Sequence, residues 1–230
     1  MSVVVLMAGF GAFGKMPALG DFFRLGVPPD FVPPWDAWLQ AILLSTGQAL
    51  GDRFEECYMS APIWRFALPP GVAGNQGALG VLMPSVDRVG RRFPLTLMVQ
   101  TGYEEQAALR NLMWQDKVLA ALEQLALEAL DDMPRDTLGD RLTQMALRPM
   151  GLPSRILTSG SSLVLSGEEP DLFCADLALD LAGGHLHRAC AWATTIDGAA
   201  RLILTSGLPR DDVATSLFDL NGHSSTGHLT

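Results

Sequence analysis

Residues 9–16, with the sequence GFGAFGKM, carry the spacing of two nucleotide-binding motifs at once. Gly9, Gly14 and Lys15 fit the phosphate-binding pattern G-x-x-x-x-G-K, and Gly11 completes the dinucleotide pattern G-x-G-x-x-G. Both motifs follow a β-strand, and the six apolar residues directly before this segment favour one. In both motifs, backbone N–H groups at the start of a helix hold phosphate groups. The first question is therefore whether this chain binds a nucleotide.

The residues that follow the motif argue against a nucleotide site. A phosphate-binding loop needs Ser or Thr after the lysine to reach Mg²⁺, and Met16 has no hydroxyl group. The prolines and glycines of residues 17–29 interrupt the sustained helix that both motifs require. The dinucleotide motif also needs an acid at the end of a second strand, whereas Asp30 lies in the segment PPDF, which is no strand. We expect the glycines to allow close backbone approach against a sheet instead, and we expect no cofactor.

Other catalytic or metal-binding patterns are weaker still. His185, His187 and Cys190 have the spacing H-x-H-x-x-C, which places two imidazoles on one strand face and could begin a zinc site. A fourth ligand is not evident, so a strand edge with a buried cysteine is the favoured interpretation. Hydrolysis by a serine nucleophile would use the turn G-x-S-x-G, which the sequence lacks. We therefore predict no catalytic residue and no metal ligand.

Residues 85–92 form a turn-rich connection with several charges, and two interpretations of it stay open. Ser85 and Asp87 can hydrogen-bond to local backbone amides and fix the turn. Alternatively, Arg88, Arg91 and Arg92 present guanidinium groups on an otherwise acidic protein. Such groups bind carboxylates or phosphates through two parallel hydrogen bonds.

Composition limits the classes of protein that this chain can belong to. Its 230 residues, 48% hydrophobic and 18% charged, suit one compact globular domain. The formal charge of −9 argues against a nucleic-acid partner. The longest uncharged stretch, residues 66–86, contains three prolines and four glycines, which makes a membrane-spanning helix unfavourable. Three widely spaced cysteines suit a reducing compartment, so we expect a cytoplasmic protein.

The hydrophobic pattern predicts an α/β fold with a mainly antiparallel central sheet flanked by helices, because hairpin-length connections dominate. Strands are predicted at residues 3–8, 63–68, 78–83, 93–99, 163–165, 189–194 and 201–204. Helices are predicted from Pro33 onwards, from the capping box of Thr101 and Glu104 to about Asp131, at residues 138–147 and at 211–220. Trp35 and Trp38 lie on one face of the first helix, which we expect to face the core. We predict a single domain over residues 1–222 and a flexible C-terminal tail over 223–230.

Several blocks of the chain, taken in order, resemble one protein family. They are GFGAFGKMP and GDF within residues 9–22, FVPPWDAWLQ at 31–40, APIWRF at 61–66, and LMPSVDRVGR with FPLT within 82–96. Together they resemble the TagF family, also called ImpM, of bacterial type VI secretion accessory proteins. The resemblance covers roughly residues 9–100 and is looser beyond, where mainly AWAT at 191–194 and GLP at 207–209 match.

The resemblance implies a cytoplasmic regulator rather than an enzyme. Members of the family repress assembly of the type VI secretion system after translation, alongside a Thr kinase/phosphatase pathway and a forkhead-associated scaffold protein. That scaffold protein is therefore the partner that the resemblance implies, and the implied fold is an α/β sandwich of the profilin or longin kind. The alternative is a small-ligand-binding or hydrolytic α/β domain whose site the sequence does not reveal.

The most distinctive family blocks lie at residues 14–23 and 85–92, and both carry charges on turns stiffened by Gly and Pro. A rigid scaffold commonly displays its binding residues on turns of this kind. Asp21 and Arg24 either pair with each other or face a partner. The expected interaction surface consists of Lys15, Asp21, Arg24, Ser85, Asp87, Arg88 and Arg91. A regulator should show a shallow patch there, whereas an enzyme should show a deep cleft with convergent polar groups.

Overall fold

The computed structural model describes residues 9–102, 108–182 and 189–219. Within these residues the strands are β1 (Gly11–Gly14), β2 (Phe23–Leu25), β3 (Trp64–Leu68), β4 (Gly77–Met83), β5 (Leu95–Gly102), β6 (Arg155–Ser159), β7 (Ser162–Ser166), β8 (Cys190–Ile196) and β9 (Ala199–Thr205). The α-helices are α1 (Val32–Leu50), α2 (Phe54–Ser60), α3 (Ala108–Trp114), α4 (Asp116–Glu128), α5 (Arg135–Thr143), α6 (Phe173–Ala182) and α7 (Asp211–Thr215).

A seven-stranded antiparallel sheet organises the part of the chain that the structure describes. Its strand order is β2-β1-β5-β4-β3-β8-β9, while β6 and β7 form a separate two-stranded sheet. The predicted α/β class with a mainly antiparallel sheet is therefore confirmed. The expected strand at residues 3–8 and the expected tail at 223–230 lie outside the described residues.

The sheet separates two apolar cores, because alternate residues of a strand point to opposite faces. On β5, Leu95 and Leu97 belong to the core covered by α4, whereas Met98 belongs to the core covered by α1. Each of these three side chains is fully buried. Burial of both faces explains why the central strands are almost continuously apolar.

The tryptophan face of α1 is buried, as predicted. Trp35 and Trp38 lie in the aromatic core, where the Trp35 ring stacks on Trp192 at a centroid distance of 6.1 Å. The Trp35 indole N–H donates to the Thr96 hydroxyl at 2.9 Å, and that of Trp38 donates to the Pro209 carbonyl at 2.8 Å. A buried indole N–H needs an acceptor, and both tryptophans have one, so both are suited to the core.

The prediction of one long helix from Thr101 is wrong in two respects: where the helix starts, and that it is a single helix. Thr101 lies in β5 instead of capping a helix, because pairing of β4 with β5 continues to the end of the strand. The helical stretch is divided at Gln115, whose side-chain amide exchanges two hydrogen bonds with the main chain of Arg148. Leu130, within the predicted helical range, is exposed. Among the described residues, no helix is long and apolar enough to cross a bilayer.

Candidate functional site

The carboxylate of Asp87 is the centre of a buried charge cluster that joins residues 15–24 to residues 85–92. The Lys15 ammonium lies 3.0 Å from Asp87 Oδ2, and the Arg91 Nε lies 2.7 Å from the same oxygen. The backbone N–H groups of Val89 and Arg91 donate to Asp87 Oδ1 at 3.1 and 2.9 Å. The Asp87 side chain is fully buried, so this residue fixes the turn.

The environment of Asp87 keeps its carboxylate ionised. Burial alone would raise the pKa of Asp87, because desolvation disfavours the charged form. The backbone amides of Arg91 and Val89 and the side chains of Lys15 and Arg91 outweigh burial and hold that pKa well below its ordinary value of 3.8. A carboxylate that stays ionised and fully paired is suited to holding a structure rather than to transferring protons.

The arginines of the hairpin add further links between the two segments. The Arg88 amide donates to the Leu19 carbonyl at 2.9 Å, and the Arg88 guanidinium donates to the carbonyl of Ala18. The Arg91 guanidinium also donates to the Gly20 carbonyl at 2.6 Å. These guanidinium groups therefore hold the loop at 18–20 against the hairpin.

Ser85 takes part through its main chain and not, as expected, through its hydroxyl group. The Ser85 amide donates to the Tyr58 hydroxyl at 3.1 Å, and that hydroxyl donates to the Ser85 carbonyl at 2.8 Å. Burial raises the pKa of Tyr58, so its hydroxyl keeps the proton that this second bond needs. The buried Ser85 Oγ has no hydrogen-bond partner among the described residues. The expectation that it bonds to local amides is wrong, because Asp87 accepts from them instead.

Several residues of the two segments are exposed, among them Asp21, Phe22, Arg24, Arg88 and Val89. The Asp21 carboxylate accepts from the neighbouring Phe22 amide at 2.8 Å, and the ion pairs of the described chain do not join it to Arg24. Phe22 is 49% exposed and packs edge-on against Phe93, and Val89 is 71% exposed. We call Asp21, Phe22, Arg24, Arg88 and Val89 the two-loop surface.

The interaction residues expected from the sequence include Asp21, Arg24 and Arg88 and do not include Phe22 or Val89. Phe22 follows Asp21 directly before β2, and Val89 follows Arg88 in the turn of the hairpin. A large apolar residue that follows a charged one at such a position is a sequence signal for a contact site. Lys15, Ser85 and Asp87 are buried, so they support the surface from beneath.

The glycines of the motif allow close packing, as predicted, and its lysine forms an ion pair within the chain. A Cβ atom at Gly14 would lie 2.0 Å from the Pro94 carbonyl oxygen, and Gly14 has φ +130°, which favours glycine. A Cβ atom at Gly11 would lie 2.7 Å from the Leu25 carbonyl oxygen. Lys15 is buried against Asp87, and the next described helix, α1, starts only at Val32. The segment therefore lacks both the free ammonium and the helix that hold phosphates.

Of the three residues of the possible zinc site, the structure describes Cys190, whereas His185 and His187 lie outside the described residues. Cys190 is buried in β8, and burial raises the pKa of its thiol to about 12. The described residues hold no cluster of three or more His, Cys, Asp or Glu that could bind a metal ion.

Three open grooves of about 520 to 540 Å³ lie among the described residues, and none of these three is lined by the two-loop surface. The groove beside α4 contains Arg65 and Glu123. Two Arg65 nitrogens lie 2.8 and 2.7 Å from the Glu123 carboxylate, and a third lies 2.6 Å from Asp116. The charged groups of that groove therefore satisfy each other.

Comparison with known proteins gives two findings and one absence. Residues 11–145 match the family model described as the TagF N-terminal domain, type VI secretion system-associated. No curated protein matches the chain. The crystal structure of PA0076 from Pseudomonas aeruginosa PAO1 superposes with a TM-score of 0.75 at 28% sequence identity, over 96% of this chain and 98% of that one. Because the family model spans more than half of the sequence, this chain belongs to the TagF N-terminal domain family of type VI secretion system-associated proteins.

Proposed function

We propose that this protein is a non-catalytic, cytoplasmic repressor that acts after translation on assembly of the type VI secretion system. It does so by binding a regulatory or structural protein of that system through the two-loop surface. The observation that carries the proposal is the combination of a buried ion pair at Asp87 with two exposed apolar residues of the same two segments, Phe22 and Val89.

A rigid surface binds with a smaller loss of conformational entropy than a mobile one. Here the Lys15–Asp87 ion pair and the bonds of Arg88 and Arg91 to the facing loop fix both segments before any partner arrives. Phe22 is held by its edge-on contact with Phe93, with ring centroids 4.6 Å apart. Aromatic residues held in this way commonly supply most of the binding energy of an interface.

The chemistry of the surface restricts the partner. Phe22 and Val89 require an apolar recess, whereas Asp21 and Arg88 at its margin require groups of opposite charge on the partner. Such marginal charges mainly set orientation and association rate. The forkhead-associated scaffold protein implied by the family resemblance is the partner that we propose.

The test is secretion of the tube protein into the medium by the bacterium that encodes this chain. Strains carrying the wild type, a deletion, Val89→Glu and Asp21→Lys are compared. Both substitutions are on exposed side chains, and Asp21→Lys removes only the bond that this carboxylate accepts from the neighbouring Phe22 amide, so the melting temperature should change little while repression is lost. Arg88→Glu is a less clean variant, because it also removes the bond to the Ala18 carbonyl.

A matched control is Leu44→Glu, which adds the same charge to an exposed apolar residue of α1. This variant should repress like the wild type and should still capture the purified scaffold protein, which Val89→Glu should not. If Val89→Glu and Asp21→Lys repress like the wild type while the deletion secretes more, the surface is wrong. If the deletion leaves secretion unchanged, the regulatory function is wrong.

A further inference from the structure

The hairpin of β6 and β7 is unusually exposed for an apolar element. Leu157, Leu163 and Val164 are all exposed, although they belong to paired strands. The two strands form a sheet of their own, and an isolated two-stranded sheet is only marginally stable in water. A third and fourth strand would supply the pairing that this hairpin lacks.

The sequence of β7 is a palindrome. Ser162–Ser166 reads SLVLS in both directions and carries no charge. When two such strands pair antiparallel about a two-fold axis at Val164, every residue lies opposite a residue of the same type in the other copy. Self-complementarity of this type is the requirement of a two-fold symmetric interface.

We propose that β7 pairs with β7 of a second copy of this chain, which gives a four-stranded sheet in the order β6-β7-β7-β6. This self-association goes beyond the proposed function and shares no residue with the two-loop surface.

The hydrogen-bonding capacity of β7 fits this arrangement. Ser159 and Ser162 flank the two-residue turn, so they form a hydrogen-bonded pair. Non-hydrogen-bonded and hydrogen-bonded pairs then alternate along the hairpin. By this alternation, Leu163 and Leu165 direct their N–H and C=O groups to the free edge. In the proposed pairing Leu163 of one copy meets Leu165 of the other, so these groups satisfy each other.

The side chains of the proposed pair also match. Val164 lies opposite Leu157 within the hairpin. Around the two-fold axis this produces a row of Leu157, Val164, and Val164 and Leu157 of the second copy. Cross-strand aliphatic neighbours of this kind stabilise a sheet, whereas like charges directly opposite each other destabilise it.

The other long edge strand, β9, offers a built-in comparison. Leu202 lies in the middle of β9 and is 52% exposed, against 53% for Val164. The β9 sequence AARLILT is not a palindrome and includes a charge, Arg201. Equal exposure with unequal self-complementarity makes Leu202 the matched control for Val164.

The experiment measures the mass of the full chain in solution by sedimentation equilibrium. Over roughly 10–200 μM, the range expected for a small contact, the mass should rise from 24.7 kDa towards twice that value. Val164→Lys sets two ammonium groups opposite each other at the axis and should weaken association at least tenfold. Leu202→Lys should associate like the wild type.

A mixture of Val164→Lys and Val164→Glu should recover the doubled mass, because opposite charges then meet at the axis. Recovery also shows that both variants are folded, and circular dichroism checks each one separately. A wild type that stays monomeric over the whole range would overturn the proposal. So would undiminished association of Val164→Lys, dissociation by Leu202→Lys alone, or a mixture that stays monomeric.

Discussion

Replacing Lys15 tests whether the buried ion pair joins the two segments of the candidate surface. The Lys15→Met variant keeps the aliphatic stem and removes the ammonium group, which lies 3.0 Å from Asp87 and 4.7 Å from the Phe22 ring centroid. We expect the variant to fold and to be clearly less stable than the wild type.

The magnitude follows from what remains at Asp87. Removing one partner of a buried ion pair costs about 3–5 kcal/mol, because the other charge stays buried without compensation. Here the Arg91 guanidinium and the amides of Val89 and Arg91 still hold the Asp87 carboxylate. We therefore expect the low end, about 3 kcal/mol, to which loss of the weak contact with Phe22 adds little.

The measurement is urea unfolding at pH 7, followed by fluorescence of the five tryptophans. The chain provides its own control, since Lys117, its second lysine, is exposed on α4. Lys117→Met should change the free energy of unfolding by about 0.5 kcal/mol or less.

Two results would refute this reasoning. The first is an equal, small loss for Lys15→Met and Lys117→Met, which would mean that the ion pair does not hold the loops. The second concerns the double variant Lys15→Met/Asp87→Asn. Because the double variant leaves no unpaired buried charge, it should lose less stability than the sum of the two single variants. Strict additivity would show that the two residues act independently.

Two further predictions concern the core and the pH dependence of stability. Trp38→Ala should cost about 3–5 kcal/mol in urea melts, because it empties a buried site, whereas Asp36→Ala should cost about 1 kcal/mol or less. Equal losses for these two variants would contradict the assignment of Trp38 to the core. The pKa of Asp87 is lowered in the folded state, so its stabilising effect is present above pH 3.8 and is lost as the pH falls further. Stability measured from pH 4 down to pH 2 should therefore fall less steeply for Asp87→Asn than for the wild type, and identical slopes would speak against the cluster.

The fold could be predicted from sequence wherever a long periodic pattern met a strong boundary signal. The helix starting near Pro33, the strands β3, β4 and β5, and the hairpin between β4 and β5 all appear close to their predicted positions. Each has both an apolar period and flanking Pro or Gly residues.

The elements that the sequence does not predict correctly have local physical reasons. β2 and β6 are short strands whose residues alternate poorly, so pairing and not pattern defines them. The capping-box spacing at Thr101 occurs in a strand because pairing with β4 outweighs a local helix signal that is worth about 1 kcal/mol. Helix α6 is not among the helices that the sequence predicts.

The candidate site divides into a part that sequence can reveal and a part that it cannot. The sequence singles out Asp87 and the arginines, because Asp side chains bond to nearby backbone amides in turns and Arg side chains bond to carboxylates. No pattern could show that Lys15 reaches Asp87, since the two lie far apart in sequence and meet only when β1 pairs with β5.

The same cluster explains how a segment that looks like a phosphate loop came to serve another purpose. In a nucleotide site the glycines and the lysine face an anion brought from outside. In this chain the anion is internal: Asp87 takes the place of a phosphate, with Lys15 and two backbone amides around it. Because these groups are already satisfied, a partner bound as we propose would meet the exposed residues of the two-loop surface, Phe22 and Val89 among them. Lys15 of the motif therefore supports the turn at Asp87, and under the proposed function Phe22 and Val89 are the apolar residues that the partner contacts.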